Sequence, residues 1–278
     1  MIGRYAYLGP AGTFTEAALH TLPGVEDAAL DPRPSVAAAF EAVRCGEAEA
    51  ALVPLENSVE GSVAATLDEL ACRAPLQIVR EVLLPVRLAL LARAGTALHA
   101  IRCLLSHPHA AAQCRGYLSR HLPEVDVLPA LSTAAAAAAV AEGLPPYDAA
   151  IAAPLAAQRY GLVVLADDVG DRSDAVTRFI LVRRPGPPPP PTGADRTTLV
   201  FVSDDRPGAL VSILAEFARR GVNLTRLESR PTGERLGAYS FSMDCDGHVE
   251  ERALQAAIVE LQGQGTEIRV LGSYPRAG

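Results

Sequence analysis

The sequence predicts an α/β protein joined to a smaller βαββαβ unit, and three observations carry that reading. Short apolar runs alternate with alanine-rich stretches that open on Ser, Thr or Pro over the first 184 residues. That alternation of strand and helix patterns marks the α/β class. The run Arg183-Arg184-Pro185-Gly186 followed by Pro187 to Pro191 and Thr192-Gly193 cannot donate to a strand ladder and favours extended geometry, so it reads as a linker. Beyond it, the order strand, helix, strand, strand, helix, strand is the ferredoxin-like split unit. The expected domains are 1–184, a linker over 185–195, and 196–278.

In the first segment, strands are expected near Arg4 to Leu8, Ala50 to Val53, Ile78 to Leu91, Cys103 to Leu105, Val125 to Leu128, Ala149 to Ala152, Leu162 to Leu165 and Thr177 to Arg183. Helices are expected after Thr13, Ser35, Ser62, His109, Ser132 and Pro154, each of them a residue that can open a helix or stand in its first turn. In the second segment the pattern gives strand Thr197 to Val202, helix Pro207 to Arg220, strands Val222 to Arg230 and Gly237 to Cys245, helix Val249 to Gln262 and strand Glu267 to Tyr274. Pro231-Thr232-Gly233 and Gly237 supply hairpin turn chemistry between the two middle strands.

Composition removes several function classes. The 278 residues are 49% hydrophobic with a net charge of −7, and offer no basic stripe for nucleic acid or an anionic membrane. No apolar leader opens the chain and no apolar run reaches about 18 residues, so a cytoplasmic protein is expected. Cys45, Cys72, Cys103, Cys114 and Cys245 form no CxxC pair and read as buried thiols. All 25 basic residues are arginine, and a chain without lysine cannot form a Schiff base or use a P-loop lysine. Any anion must be held by arginine, backbone N–H groups or hydroxyls.

Four strand ends run into polar turns that open helices: Gly9 to Phe14, Pro54 to Ser62, Ser106 to His109, and Ser132 to Ala134. Such corners lie at the ligand-binding edge of open α/β sheets, where helix N-termini face anions. Their Ser, Thr and Asn residues are also ordinary caps, and spacing alone does not separate the two roles. The Glu56 to Gly61 loop, with two carboxylates, an amide and a hydroxyl, carries more than a solvated loop requires. Thr177-Arg178-Phe179 enters the last strand before the linker with a hydroxyl beside a guanidinium able to clamp a carboxylate. His107 and His109 stand two apart with no third ligand nearby, so no metal site is expected. The residues alone lead to a cleft for a small acid plus a regulatory module, and a non-catalytic acid sensor satisfies the same pattern.

Taken together the motifs resemble the prephenate dehydratase family. Its GPxGTF opening matches Gly9 to Phe14, PxENSxEG matches Pro54 to Gly61, SHPxA matches Ser106 to Ala110, the S/T-Thr-Ala helix start matches Ser132 to Ala134, and TRF matches Thr177 to Phe179. The second segment resembles an ACT domain through Gly208-Ala209-Leu210, the GVNL of Gly221 to Leu224, and Glu228-Ser229-Arg230-Pro231. His109 stands where the family usually has glutamine, and Ala175 where asparagine is frequent.

The resemblance implies two α/β lobes around a cleft, similar to type II periplasmic binding proteins, and no cofactor. It implies decarboxylating dehydration of prephenate to phenylpyruvate, with phenylalanine as effector and a homo-oligomer paired through its domains; arogenate dehydratases share these motifs. Thr177 and Arg178 would be catalytic. Thr13, Asn57, Ser58, Ser106, His107, Thr133 and Phe179 would bind substrate, with Glu56 and Glu60 organising their loop. Gly208, Ala209, Leu210, Asn223, Leu224, Glu228, Ser229, Arg230 and Pro231 would receive the effector.

Overall fold

A computed structural model describes residues 3–203, 205–232 and 239–277. The chain first builds β1 (Arg4–Leu8), α1 (Phe14–Leu19), β2 (Ala29–Arg33), α2 (Val36–Arg44), β3 (Ala50–Asn57), β4 (Gly61–Ser62), α3 (Ala64–Cys72) and β5 (Gln77–Pro85). It then crosses to a second lobe: β6 (Ala89–Ala92), β7 (Cys103–Ser106), α4 (Pro108–Ala112), α5 (Arg115–His121), β8 (Asp126–Pro129), α6 (Thr133–Ala141), β9 (Ala149–Ala152), α7 (Pro154–Tyr160) and β10 (Val163–Ala166). The strand β11 (Val176–Arg183) returns to the first lobe. The two sheets run β2-β1-β3-β11-β5, with β4 on β3, and β10-β6-β9-β7-β8. This is the expected two-lobed α/β arrangement.

Local chemistry explains the helix starts. Thr13, Ser35 and Ser132 accept the backbone N–H groups of Glu16, Ala38 and Ala135, and so cap α1, α2 and α6. Glu16 reaches back to the N–H of Gly12 at 2.5 Å and completes a reciprocal cap on α1. The alanine run of α6 presses its small side chains on the second sheet, where Ala134, Ala136, Ala137 and Val140 are fully buried. Gly161 ends α7 with φ at 68°, a left-handed cap that glycine adopts without strain.

The single strand expected over Ile78 to Leu91 is two strands in different sheets, because Pro85 offers no N–H and the chain changes lobe there. Val86 N–H instead donates to Ala175 C=O at 2.8 Å, which ties the two interlobe crossings together. The unforeseen β2 is an edge strand that carries Pro32, a placement that hides it from an apolar pattern. The helix expected after His109 begins at Pro108, is capped by His107, and gives way to α5 after Gln113 and Cys114. Cys103, Cys114 and Cys245 are buried as expected, whereas Cys45 is exposed beside Glu41 at the end of α2.

After the proline-rich run come β12 (Asp195–Val202), α8 (Ala209–Arg219), β13 (Leu224–Pro231), β14 (Tyr239–Asp246), α9 (Arg252–Gly263) and β15 (Ile268–Pro275). Their sheet order is β13-β14-β12-β15, the βαββαβ unit expected; the hairpin glycines Gly233 and Gly237 lie outside the described residues. One face packs under the helices, with Leu199, Phe201 and Met243 against Phe217 of α8. The other is built into the first lobe, where Val200, Leu271 and Tyr274 join a core with Ile78, Ile180 and Val182. A Cβ on Gly272 would fall on the carbonyl oxygen of Ile78, so β15 meets β5 at glycine distance. Arg269 donates to the carbonyls of Leu70 and Ala71, both at 2.7 Å, and Arg230 clasps Asp68 at 2.9 and 3.0 Å. The proline-rich run is pinned through Gly186 N–H to Gln77 and Pro189 C=O to His248, both at 3.0 Å.

Candidate active site

Strand β11, on which the chain re-enters the first lobe, sets the site. Side chains alternate across a strand, so Thr177 and Phe179 face the interlobe cleft while Arg178 faces away. The cleft holds about 320 Å³ and is lined from both lobes. Its polar lining includes Thr13, Asn57, Glu60, His107, His109, Gln113, Ser132, Thr133 and Thr177, and Phe14, Val86, Leu88, Leu131 and Phe179 supply apolar walls. Ser132 caps α6, and both it and Thr133 line the cleft.

The central contact is between Asn57 and Thr177, paired across β3 and β11. Asn57 Oδ1 accepts the N–H groups of Val59 at 2.8 Å and Glu60 at 3.0 Å. Those two bonds fix the amide orientation, so Nδ2 must point at Thr177 Oγ1, 2.8 Å away. The threonine oxygen is therefore an acceptor in this bond. Its own proton is left to donate into the cleft.

Glu60, which lines the cleft, reaches from the first lobe to the second. Its carboxylate meets His109 Nδ1 at 2.9 Å and accepts from Gln113 Nε2 at 3.2 Å. His107 Nδ1 accepts the N–H of His109 at 3.3 Å. Burial and the adjacent His109 pull the His107 imidazole below its ordinary range, against the opposing pull of Glu60. His107 thus presents itself to the cleft as a neutral hydrogen-bonding ring near neutral pH. Tyr160, from α7, donates to Ala11 C=O at 2.6 Å and joins the lobes beside Thr13.

Three expected substrate contacts are placed elsewhere. Ser106 is fully buried and donates to Ile151 C=O at 2.9 Å, holding β7 on β9. Ser58 accepts the N–H of Val176 at 3.0 Å on the side of the loop away from the cleft. Arg178, expected as a carboxylate clamp, is 7% exposed and points into the interface with the C-terminal sheet. It lies 2.6 Å from Asp244, 2.8 Å from Glu81 and 3.0 Å from Tyr274 Oη, with Glu56 at 3.7 Å. The reason is the strand period: a residue next to a cleft-facing threonine must point the other way. With Arg178 turned aside, no arginine among the described residues lines the cleft, and hydroxyls, imidazole and backbone N–H groups remain there for an anion.

The C-terminal motifs divide as well. Gly208, with φ at 83°, Ala209 and Leu210 line a cavity of about 190 Å³ with Asp205, Arg206, Tyr239 and Phe241. Glu228 accepts from Ser62 Oγ at 3.2 Å and Arg230 holds Asp68, so both turn toward the first lobe. Asn223 donates to Asp246 at 2.8 Å and Leu224 packs beneath the helices. Ser229 and Pro231 stand exposed on the edge strand β13. Asp244, Tyr274, Glu81 and Glu16 were not foreseen, although Glu81, a buried charge inside an apolar strand, was a visible signal.

Comparison with known proteins agrees with this architecture. The prephenate dehydratase family model matches residues 5–187 and the ACT domain model matches 197–261. A prephenate dehydratase from Mycobacterium bovis BCG is 50% identical over 280 residues, which cover 98% of this chain and 87% of that protein. The crystal structure of a prephenate dehydratase in complex with L-Phe from Arthrobacter aurescens is 53% identical, with a TM-score of 0.94 over 99% of this chain and 90% of that one. A structure described as a novel type of quorum-quenching acylase, GqqA, is 36% identical, with a TM-score of 0.87 over 99% and 98% of the two chains. On the family match and the identity over nearly its whole length, the chain belongs to the prephenate dehydratase family and carries an ACT domain at its C-terminal end.

Proposed function

We propose that the chain converts prephenate to phenylpyruvate by a positioned hydrogen bond from Thr177, and that its ACT domain adjusts this activity in response to phenylalanine. In the reaction the ring carboxylate leaves as CO2. The electrons of the broken C–C bond form the aromatic ring as the C–O bond to the 4-hydroxyl breaks, and that hydroxyl takes a proton and departs as water. Gain of aromaticity drives the step, so the protein has to orient a dianion, exclude water and stabilise charge developing on the leaving oxygen.

The observation that carries this reading is the oriented Asn57–Thr177 bond. An ordinary threonine hydroxyl is too weak an acid to give up its proton in bulk water. Held as an acceptor by Asn57, it directs its proton into the cleft, where a bond to developing charge counts most. Thr13, His107 and Thr133 are suited to hold the substrate's carboxylates and carbonyl, with Phe14, Val86 and Phe179 against its ring. An acylase activity, as named for the 36% identical relative, would need a base to take the hydroxyl proton if Thr177 were its nucleophile. The partner found there is an amide.

On this reading residues 1–184 catalyse, 185–195 link, and 196–278 sense the effector. The cavity beside Gly208, Ala209 and Leu210 suits an apolar side chain, and exposed Ser229 and Pro231 on β13 suit pairing with a second copy of the chain. No helix among the described residues is long and apolar enough to cross a membrane, which is in keeping with work in the cytoplasm.

Phenylpyruvate formation from prephenate, with and without phenylalanine, tests both halves, with arogenate as the competing substrate. The wild-type protein should turn over prephenate and respond to phenylalanine, and Thr177→Ala should lose turnover with its fold retained. Preference for arogenate would reassign the substrate. Near-normal turnover by Thr177→Ala would remove the mechanism.

A further inference from the structure

Arg178 stands next to Thr177 but contacts the ACT domain. Consecutive Cα atoms are about 3.8 Å apart along a trans backbone, so whatever fixes one residue's backbone restricts the other's. Thr177 faces the cleft, and Arg178 is buried on the opposite side of the strand. Its guanidinium is held from two directions: Glu81 on β5 at 2.8 Å, and, from the ACT sheet, Asp244 on β14 at 2.6 Å and Tyr274 on β15 at 3.0 Å.

The ACT side of this node is itself over-determined. Asp244 is fully buried and also receives Arg226 at 2.9 and 3.1 Å and Thr198 Oγ1 at 2.8 Å. Thr198 Oγ1 and Tyr274 Oη are 2.7 Å apart. These groups hold one another in a single arrangement, so a shift of the ACT sheet moves the guanidinium or leaves a desolvated charge unpaired. The same sheet reaches the Asn57 loop through Glu228 and Ser62, just beyond Gly61. Both partners of the Asn57–Thr177 bond are thus tied to the ACT sheet, at Arg178 on β11 and at Ser62 on β4, which pairs with the end of β3 that carries Asn57.

We propose that Asp244 and Tyr274 are positioning residues for dehydration, supplied by the ACT domain and acting through Arg178 on the hydroxyl of Thr177. This rests on the reading of Thr177 as the donor to the leaving oxygen. It names the route by which an event in the ACT domain reaches the chemistry: displacement of the ACT sheet turns β11 at Arg178 and misaims Thr177. The polar groups proposed to hold the substrate, Thr13, His107 and Thr133, lie on other elements, and of the cleft residues only Thr177 and the apolar Phe179 share β11 with Arg178. The consequence therefore falls chiefly on kcat, with KM shifted only by the small change at Phe179.

The test measures steady-state prephenate turnover for Tyr274→Phe, Asp244→Asn, Arg178→Gln and the double variant Arg178→Gln/Asp244→Asn, each checked by thermal unfolding. Tyr274→Phe removes one oxygen and keeps the ring in the core, so it carries the test if Asp244→Asn fails to fold. Each single variant should lose about tenfold to a hundredfold in kcat, the scale of a misplaced catalytic group, with KM within about twofold. The double variant should be no slower than Arg178→Gln alone, since Asp244 acts through Arg178. Phenylalanine should still bind the intact Tyr274→Phe protein by calorimetry while its effect on kcat shrinks. Unchanged kcat in Tyr274→Phe, a loss confined to KM, or additive losses in the double variant would overturn the proposal. Thr177→Ala, run alongside, separates the two ideas: if it retains turnover, the underlying reading fails, and if it alone is inactive, only the positioning route fails.

Discussion

The orientation of Asn57 makes a prediction that can be worked from its three hydrogen bonds. In Asn57→Asp the side chain keeps its shape, and one carboxylate oxygen can still accept the N–H groups of Val59 and Glu60, so the loop should hold. The other oxygen replaces an NH2 donor and can only accept. Facing Thr177 Oγ1 at 2.8 Å, it would draw the threonine proton onto itself and away from the cleft. The substitution therefore reverses a hydroxyl with no change in packing.

Removing one preorganised donor from developing charge costs about 100- to 1,000-fold in rate, or roughly 3–4 kcal/mol of transition-state stabilisation. That loss should appear in kcat at saturating prephenate and should be insensitive to salt. The added negative charge also repels an anionic substrate, but that effect belongs in KM and weakens as salt rises. Phenylpyruvate formation measured across substrate concentration at low and high ionic strength separates the two. A kcat within about threefold of wild type, in a protein that unfolds at the wild-type temperature, would refute the donor assignment.

Two further substitutions and one titration follow. Gly272→Ala should destabilise the folded chain by about 1–3 kcal/mol, since its methyl meets the Ile78 carbonyl; denaturant unfolding reads this directly. His109→Gln keeps a hydrogen-bonding group opposite Glu60 and should leave kcat within about twofold, the size of effect expected from an exposed pair; a tenfold loss would give His109 a role in the chemistry. Burial would raise the Asp244 carboxyl, but Arg226 and Arg178 outweigh it and hold the group at about 2. Because the folded value lies below the unfolded one, the stabilisation is complete above about pH 4 and is lost as pH falls toward 2, an amount of roughly 2–3 kcal/mol. Acid unfolding should shift to higher pH in Tyr274→Phe, which loosens the same node.

Most of the fold was legible because it rests on local rules. Caps at Thr13, Ser35 and Ser132, and runs such as Ala149–Ala152 with every side chain buried, announce their elements without tertiary context. The interlobe crossing was hidden inside the apolar run Ile78 to Leu91, because apolar character continues through Pro85 and Val86 while the sheet does not. The candidate site was legible as a set of corners but not as a set of roles. Ser58 and Ser106 carry the same chemistry as Thr133, and only burial and partners show that they serve the backbone.

Arg178 illustrates the limit most clearly. Its neighbours Thr177 and Phe179 face the cleft, and a side-chain period of two requires that a residue between them cannot. That much was available from the strand assignment. What the residue meets on the far side was not, because Asp244 and Tyr274 lie 66 and 96 positions away and are brought there by the docking of a second domain. The tripeptide is thereby divided between two tasks: its first and third residues build the cleft, and its second anchors the strand to the ACT sheet. A guanidinium buried this deeply needs carboxylates that are equally fixed, and among the described residues the ACT domain supplies one of the two that lie within 3 Å. On the proposed reading the regulatory domain is part of the scaffold that aims Thr177, and loss of that contact should then be read in kcat before it is read in binding.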